Sequence, residues 1–365
     1  MTQALYIHIP FCDNICSYCD FSKVLTKSSH PDQYLNRLIQ EIQSYRIPDR
    51  TLKTIYIGGG TPSSLSTDQL KKLLSYLDSH FFPVKEFTIE ANPESLTEEK
   101  IQVLEKYHVN RVSLGVQTFS ENLLKKLNRK HSIQDVETCV SLLRKHHITN
   151  INLDFIYGIP GALKDEPAKD IQLVKELDPT HVSFYSLQIE EGTFFFIKNL
   201  RPVDDSQMRT EYDFLRKELE NIGYQRYEVS NFAKPGYASE HNMTYWADQH
   251  YYGCGVSASG YLENYRYTNT KSITKYLQGE TIMSKETLTR QEEEFEYLML
   301  NLRMTEGFSI SDFNKRFQKD FLTSYHQEIQ KCGKSLVIHE NRVRIRKDDI
   351  YIMDSILLNL LKDFS

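Results

Sequence analysis

Cys12-Asp13-Asn14-Ile15-Cys16-Ser17-Tyr18-Cys19 crowds three thiols into one short stretch, and the remainder of the chain is best understood from there. The stretch follows an apolar strand pattern over 4–9 and a Pro10-Phe11 break, so the sulfurs sit on a loop at a strand's end. Three thiolates from one loop can hold three irons of a [4Fe-4S] cube, since soft sulfur suits iron and neighbouring loop positions cover one cluster face. The fourth iron is then open to another ligand. Two plainer readings compete: a structural zinc site, and three loop cysteines with no joint role. Zinc asks for a fourth Cys or His at short spacing; the nearest histidines, His8 and His30, do not stand at one.

The other bounds are those of an ordinary water-soluble chain. At 365 residues there is room for a large domain and a smaller one, each with its own core. A hydrophobic fraction of 40% with 25% charged residues fits that class, and a net charge of −5 argues against a nucleic-acid backbone as the main partner. No early stretch has the form of a signal peptide, and no apolar run is long enough for a membrane span. A cytoplasmic location is expected; peripheral membrane contact and a homodimer are compatible with the same composition. The three remaining cysteines, Cys139, Cys254 and Cys332, lie far apart, which is no disulfide framework. Cys139 shares the stripe Val136, Cys139, Val140, Leu143, so it reads as a small buried hydrophobe on a helix.

Downstream, strand and helix patterns alternate. Leu35, Leu38, Ile39 and Ile42 make one apolar helix face. A strand over 54–57 runs into Gly58-Gly59-Gly60-Thr61-Pro62, and Ser66 with Gln69 forms a capping box before a helix buried through Leu70, Leu73, Leu74 and Leu77. Strands over 87–91, 109–115, 150–156 and 181–187 follow, separated by helices over 97–107, within 121–146 and over 167–177. Six strands alternating with helices predict right-handed crossovers and a parallel sheet: an α/β fold built as an incomplete TIM-like (β/α)6 barrel, with chemistry at the C-terminal strand ends. Polar residues and glycines gather there, including Glu90, Asn92, Gln117, Asp154 and Gln188. Each alone reads as a loop residue with local hydrogen bonds; together they converge on one mouth.

Past Gly192 the repeat stops. A helix over 206–222, a strand-like exit around Tyr227 to Phe232, the element His241-Asn242-Met243-Thr244-Tyr245-Trp246 and a glycine-rich stretch over 253–260 precede a change to charged helical patterns. The expected division is 1–266 for the barrel with its following segment and 267–365 for a smaller helical and winged domain, whose hairpin falls at 336–346. For His241 two readings stand open: a loop histidine bonded to a backbone carbonyl, or an axial ligand of heme iron with Tyr245 and Trp246 packed on the macrocycle.

The cysteine spacing, with Tyr18 before the last thiol, resembles the radical S-adenosylmethionine (SAM) superfamily, in which the open iron is chelated by SAM. That resemblance implies reductive cleavage of SAM to a 5′-deoxyadenosyl radical, with the protein orienting the cofactor. Gly58 to Thr61 would let the SAM head group approach the backbone, and Glu90 would accept from the ribose hydroxyls. More narrowly, Cys12 to Phe21, Gly58 to Pro62, Glu90 to Pro93, Ser113 to Phe119, Asn152 to Gly161, Tyr227 to Phe232 and His241 to Trp246 together resemble the HemN/HemW group. The resemblance implies that Cys12, Cys16 and Cys19 hold the cluster and that Tyr6, Gly59, Gly60, Thr61 and Glu90 contact SAM. It adds Gln117, Arg129, Asp154 and Gln188 to the nucleotide pocket.

Two branches of that group differ in what they do. Its oxygen-independent coproporphyrinogen III oxidases carry an N-terminal extension and a further cysteine two positions after the third. Here Phe21 stands at that position and the chain starts directly before the strand with Tyr6. Both features resemble the heme-chaperone branch, which delivers heme to acceptor hemoproteins, and that likeness implies that His241 binds heme. The sequence departs from the group's pattern at Asn128, Leu163, Ser257 and Ser259.

Overall fold

Strands buried on both sides must satisfy two different neighbours, and six of them here do so by strict alternation. In the computed structural model, which describes residues 2–28 and 30–361, these strands are Ala4–Ile9, Thr54–Gly59, Glu86–Ala91, Arg111–Gln117, Asn150–Tyr157 and His181–Ser186. Each pairs in parallel with the next. Leu5, Ile7, Ile55, Ile57, Phe87, Ile89, Val112, Leu114, Ile151 and Leu153 are almost fully buried in the main hydrophobic core. The intervening positions, among them Tyr56, Thr88, Glu90, Arg111, Ser113, Asn152, Asp154, His181 and Ser183, turn to the interior of an open barrel and are polar. The period of two thus separates a helix-covered face from a functional one.

Helices cover the apolar face. Pro31–Ser44 buries Leu35, Leu38 and Ile42, and Thr67–Phe81 buries Leu70, Leu73, Leu74 and Leu77. The expected capping box is present: the Gln69 amide nitrogen donates to Ser66 Oγ at 3.2 Å, and the Ser66 amide to Gln69 Oε1 at 3.0 Å. Glu98–Lys106 and Glu166–Leu177 lie where helices were expected. The helices expected within 121–146 are Glu121–Lys126 and Ile133–Lys145. Asn128 takes a φ of 57°, which ends the first helix, and a second capping box, Ser132 with Asp135, starts the next. Cys139 is buried on that helix as the stripe implied.

The sheet extends beyond the six expected strands. Tyr252–Cys254 pairs in parallel beside Ala4–Ile9, and Asn231–Ala233 then Gln225–Arg226 add antiparallel strands beyond His181–Ser186. Strands of two or three residues carry no periodic signal, so the register with distant neighbours alone defines them. The glycine-rich return is pinned by Glu41, a carboxylate only 2% exposed. It accepts from the Gly255 amide at 2.9 Å, from Asn269 Nδ2 at 2.6 Å and from the Tyr276 hydroxyl.

A second core gathers Tyr297, Leu298, Leu302, Phe308, Phe313, Phe317 and Phe321 with residues up to Leu361. Phe308 meets Phe321 edge-on at 5.0 Å, and Phe321 stacks on Tyr325 at 5.0 Å. The hairpin Leu336–His339 with Arg342–Ile345 forms as expected and adds Phe308–Ser309 as a third strand. The expected division at 266/267 cuts the strand Tyr265–Asn269, which pairs with both Ser259–Leu262 and Ile282–Thr287. Among the described residues, no helix is long and apolar enough to cross a membrane.

Leu153 sits at the centre of the main core with no exposed surface. Leu153→Ala should lower stability by about 2–5 kcal/mol, read as a shift of the urea midpoint with unchanged m-value. An unshifted midpoint would contradict the assignment of this face to the core.

Candidate functional site

The C-terminal strand ends open into a cavity of ≈ 510 Å³ whose wall includes Cys12, Cys16 and Cys19 together with Gly59, Gly60, Thr61, Glu90, Gln117, Arg129, Asp154 and Gln188. Residues scattered from position 12 to position 188 meet there because parallel strands all deliver their ends to one side. Burial pushes the Cys12 thiol up to about 11, with Cys16 and Cys19 adding repulsion. Cys19 is likewise raised by burial. Thr61 Oγ1 donates to Cys12 Sγ at 3.4 Å, and Arg129 Nη1 to Cys16 Sγ at 3.4 Å.

Three thiols on one wall form a donor set that gains from a cationic guest, because metal binding replaces the protons that burial retains on Cys12 and Cys19. Among the described residues, no three His, Cys, Asp or Glu side chains close around a single ion. Sulfur-rich donors sharing a cavity of this size fit the larger iron-sulfur cube.

The glycines have steric reasons. A side chain at Gly60 would meet the carbonyls of Ile9 and Phe11 at 2.8 Å. Gly59 has a φ of 110°, and a Cβ there would lie 2.4 Å from the His8 ring. This tight passage exposes backbone to the cavity beside the start of the cysteine loop. The Gly59 amide donates to Glu90 Oε2 at 3.0 Å, and the Tyr56 hydroxyl to Glu90 Oε1 at 2.7 Å. Burial pushes Glu90 up to about 7, helped by Asp154, while its two donors work in the opposite direction. Asp154 is also raised by burial; it accepts from Ser113 Oγ at 2.7 Å and Asn152 Nδ2 at 2.8 Å.

Arg129 is held by Asn92 Oδ1 at 2.7 Å and the Gly115 carbonyl at 2.5 Å, which leaves Nη1 on the sulfur. Gln117 reaches the wall through a register shift between Gly115 and Gln117, where its φ is 70°. Gln188 lines the wall with its amide on Ser186 Oγ at 2.8 Å. Two expected residues lie elsewhere. Tyr6 is behind the wall: its hydroxyl is 3.1 Å from His8 Nδ1 and its ring stacks on Tyr56 at 6.1 Å.

His241 is at the opposite end of the barrel with no exposed surface. Its Nδ1 is 2.8 Å from Thr54 Oγ1 and its Nε2 2.7 Å from the Tyr245 hydroxyl. Burial pushes it down to about 3, so the ring is neutral. With both nitrogens engaged, the expected axial-ligand role does not fit this geometry; the hydrogen-bonding reading does, though through side chains rather than a backbone carbonyl. Tyr56, Ser113 and Tyr185 line the same cavity without standing among the expected residues. Their signal was available, since each is an interior-facing alternate of its strand.

An open parallel barrel that gathers three loop thiols, a glycine passage and a carboxylate at its strand ends defines a protein of the radical SAM class. Residues 6–174 match the Radical SAM superfamily and residues 288–347 the HemN C-terminal domain. Curated relatives named "Heme chaperone HemW" are 40% identical in Lactococcus lactis (95% of this chain, 93% of the relative) and 37% identical in Bacillus subtilis (93% of each). The relative of that name in Escherichia coli is 34% identical over 83% of each chain. The solved coproporphyrinogen III oxidase HemN of E. coli superposes with a TM-score of 0.87 over 98% of this chain and 90% of its own, at 22% identity, a likeness of fold. The chain belongs to the HemW family.

The raised Glu90 gives a signed pH effect. Its native pKa of about 7, against 4.5 in the reference state, means that the folded protein keeps a proton which the unfolded chain releases. That contribution is fully present below pH 4.5 and is lost as the pH rises through 7. Wild type should therefore lose up to about 3 kcal/mol relative to Glu90→Gln between these limits. Parallel urea-midpoint profiles for the two proteins would show that the carboxyl is not perturbed.

Proposed function

We propose that this chain is a radical SAM-type heme chaperone, which binds a [4Fe-4S] cluster, SAM and heme and passes the heme to an acceptor hemoprotein. The convergence of Cys12, Cys16 and Cys19 with Glu90, Arg129 and Asp154 on one cavity carries the cofactor half of this reading. The heme half rests on the relatives' name, matched along nearly the whole chain.

In this reading Cys12, Cys16 and Cys19 hold three cluster irons. The cluster with SAM, when bound, supplies one-electron chemistry at the sulfonium. The chain's residues arrange the space for it. The backbone at Gly59 and Gly60 lies on the cavity surface, where side chains would block both the local turn and close approach. Glu90, already holding two donors, presents its carboxylate to a ribose hydroxyl once ionised, and Asp154 offers a second acceptor. Arg129 sets a fixed positive charge against Cys16 and offsets the negative charge of the thiolates and cluster. Tyr18 and Leu187 line the same wall and restrict water around the site.

The test begins with oxygen-free reconstitution. Wild type should take up iron and sulfide and show a SAM-dependent change in the cluster's EPR spectrum, while Cys16→Ser should fall below half the wild-type metal content. Full metal retention in Cys16→Ser would remove that residue from the site. The alternative from the enzyme class, a coproporphyrinogen III oxidase acting through a 5′-deoxyadenosyl radical, is decided by incubation with coproporphyrinogen III and reductant. The chaperone reading expects hemin binding and no turnover; catalytic formation of protoporphyrinogen would overturn it.

A further inference from the structure

Among the described residues, Arg111 is the bulkiest side chain that the fold buries almost completely, with 1% of its surface exposed. It points into the barrel from the strand Arg111–Gln117, beside Thr88 in the register and so two residues, one interior layer, below the neighbours Ser113 and Glu90. It does not line the cysteine-lined cavity.

A buried cation normally recovers its desolvation cost in hydrogen bonds or a salt bridge. Arg111 recovers little that way: its Nε has no hydrogen-bond partner, and no carboxylate among the described residues closes a salt bridge with the guanidinium. Burial works against its charge, and the fields of Glu86 and then Asp154 sustain it. Glu86 does not need it for hydrogen bonding, since Ser239 Oγ at 3.1 Å and the amides of Glu240 at 2.8 Å and His241 at 3.0 Å already donate there. A charge kept in a dry interior without local compensation calls for a reason at longer range.

We propose that Arg111 is a positioning residue for the nucleotide pocket: its fixed charge below the strand ends keeps Glu90 ionised beside Asp154, in the form that accepts strongly from a ribose hydroxyl. The proposal rests on the SAM reading above and names what sets the charge of its acceptor.

Two carboxylates in one dry wall oppose each other's ionisation. Burial raises both, Asp154 raises Glu90 further, and Arg111 works in the opposite direction on each. The other titratable groups around Glu90 are Tyr56 beside it and Tyr6 and Tyr245 behind it, phenols that burial keeps protonated. Deeper in the barrel His181 and His241 are neutral, pushed down by burial and then by Arg111 itself. Across the cavity, Lys23 is bonded to the Cys19 carbonyl and Arg129 to Cys16 Sγ, so their charges are committed to the cysteine loop. Asp20 and Glu190 stand exposed at the mouth, where solvent screens them. Arg111 is thus the cation that faces Glu90 from the barrel side, and a guanidinium does not lose its proton at working pH.

The experiment titrates SAM into full-length, cluster-loaded protein from about pH 6 to about pH 9 and reads affinity from the EPR change. The amino group of SAM titrates in the same range in every variant, so each profile is compared with that of Glu90→Gln. Wild type should gain affinity as the pH rises through about 7, where Glu90 ionises. In Arg111→Met the midpoint should move up by at least about one unit, which weakens binding about fivefold at neutral pH and restores it in the alkaline range. Added to Glu90→Gln, the same substitution should change affinity by less than about twofold, because Asp154, freed of its neighbour's charge, keeps its donors Ser113 and Asn152. Arg111→Gln, which exchanges the charge for an amide able to pair inside the barrel, is the second variant and should shift the midpoint in the same direction. Iron and sulfide content at the wild-type level marks an intact barrel. Equal weakening at every pH, or an undiminished loss in the Glu90→Gln background, would make Arg111 a purely structural residue and overturn the proposal. Absence of any SAM-dependent change in wild type would instead overturn the SAM reading, and the proposal with it.

Discussion

The constraint on which this molecule depends is the polar interior of its barrel. A buried polar side chain is costly unless it finds a partner, and here the partners form a continuous column. Asp154 accepts from Asn152, whose carbonyl oxygen is 2.6 Å from His181 Nδ1; His181 Nε2 is 2.9 Å from the Tyr227 hydroxyl. Tyr227 in turn meets the Ser239 amide, and Ser239 with the His241 amide donates to Glu86. The column runs from the cysteine-lined cavity to the helix beneath the barrel. Arg111, 1% exposed and with Nε unpartnered, lies among Glu86, Tyr56, Tyr227 and Asp154 as its fixed cation.

This column explains why the two ends of the barrel have different chemistry. At the strand C-termini, carboxylates raised by burial and thiols that share one wall favour a guest with positive charge or metal character. At the strand N-termini, Glu86 and Thr54 are spent on the His241 helix, so that end is braced rather than reactive. A histidine caught between two hydroxyls with no exposed surface is a structural member.

Much of this was legible before the structure. The alternation of strands and helices fixed the barrel, because periods of 2 and 3.6 leave different imprints on hydrophobicity. The thiol spacing marked the cysteine loop, and strand-end polarity marked Glu90, Gln117 and Asp154, all of which meet at one cavity. The sequence was silent or misleading where a residue's role depends on remote neighbours. The edge strand Tyr252–Cys254 is defined by its pairing with Leu5, Tyr6 and Ile7. Glu41, on an otherwise ordinary amphipathic helix, reads as surface until Gly255, Asn269 and Tyr276 arrive around it. Tyr6 stands one layer behind the cavity because its hydroxyl is taken up by His8.

By itself the sequence determined the class of fold, the three-thiol loop and the glycine passage, since each is written in local spacing and in which side chains are absent. Tertiary structure alone decided which polar groups are already partnered, His241 among them, with both of its ring nitrogens engaged. Local sequence can specify a donor, but whether that donor is occupied depends on contacts such as Thr54 with His241, separated by 187 positions, which exist only once the chain has closed on itself.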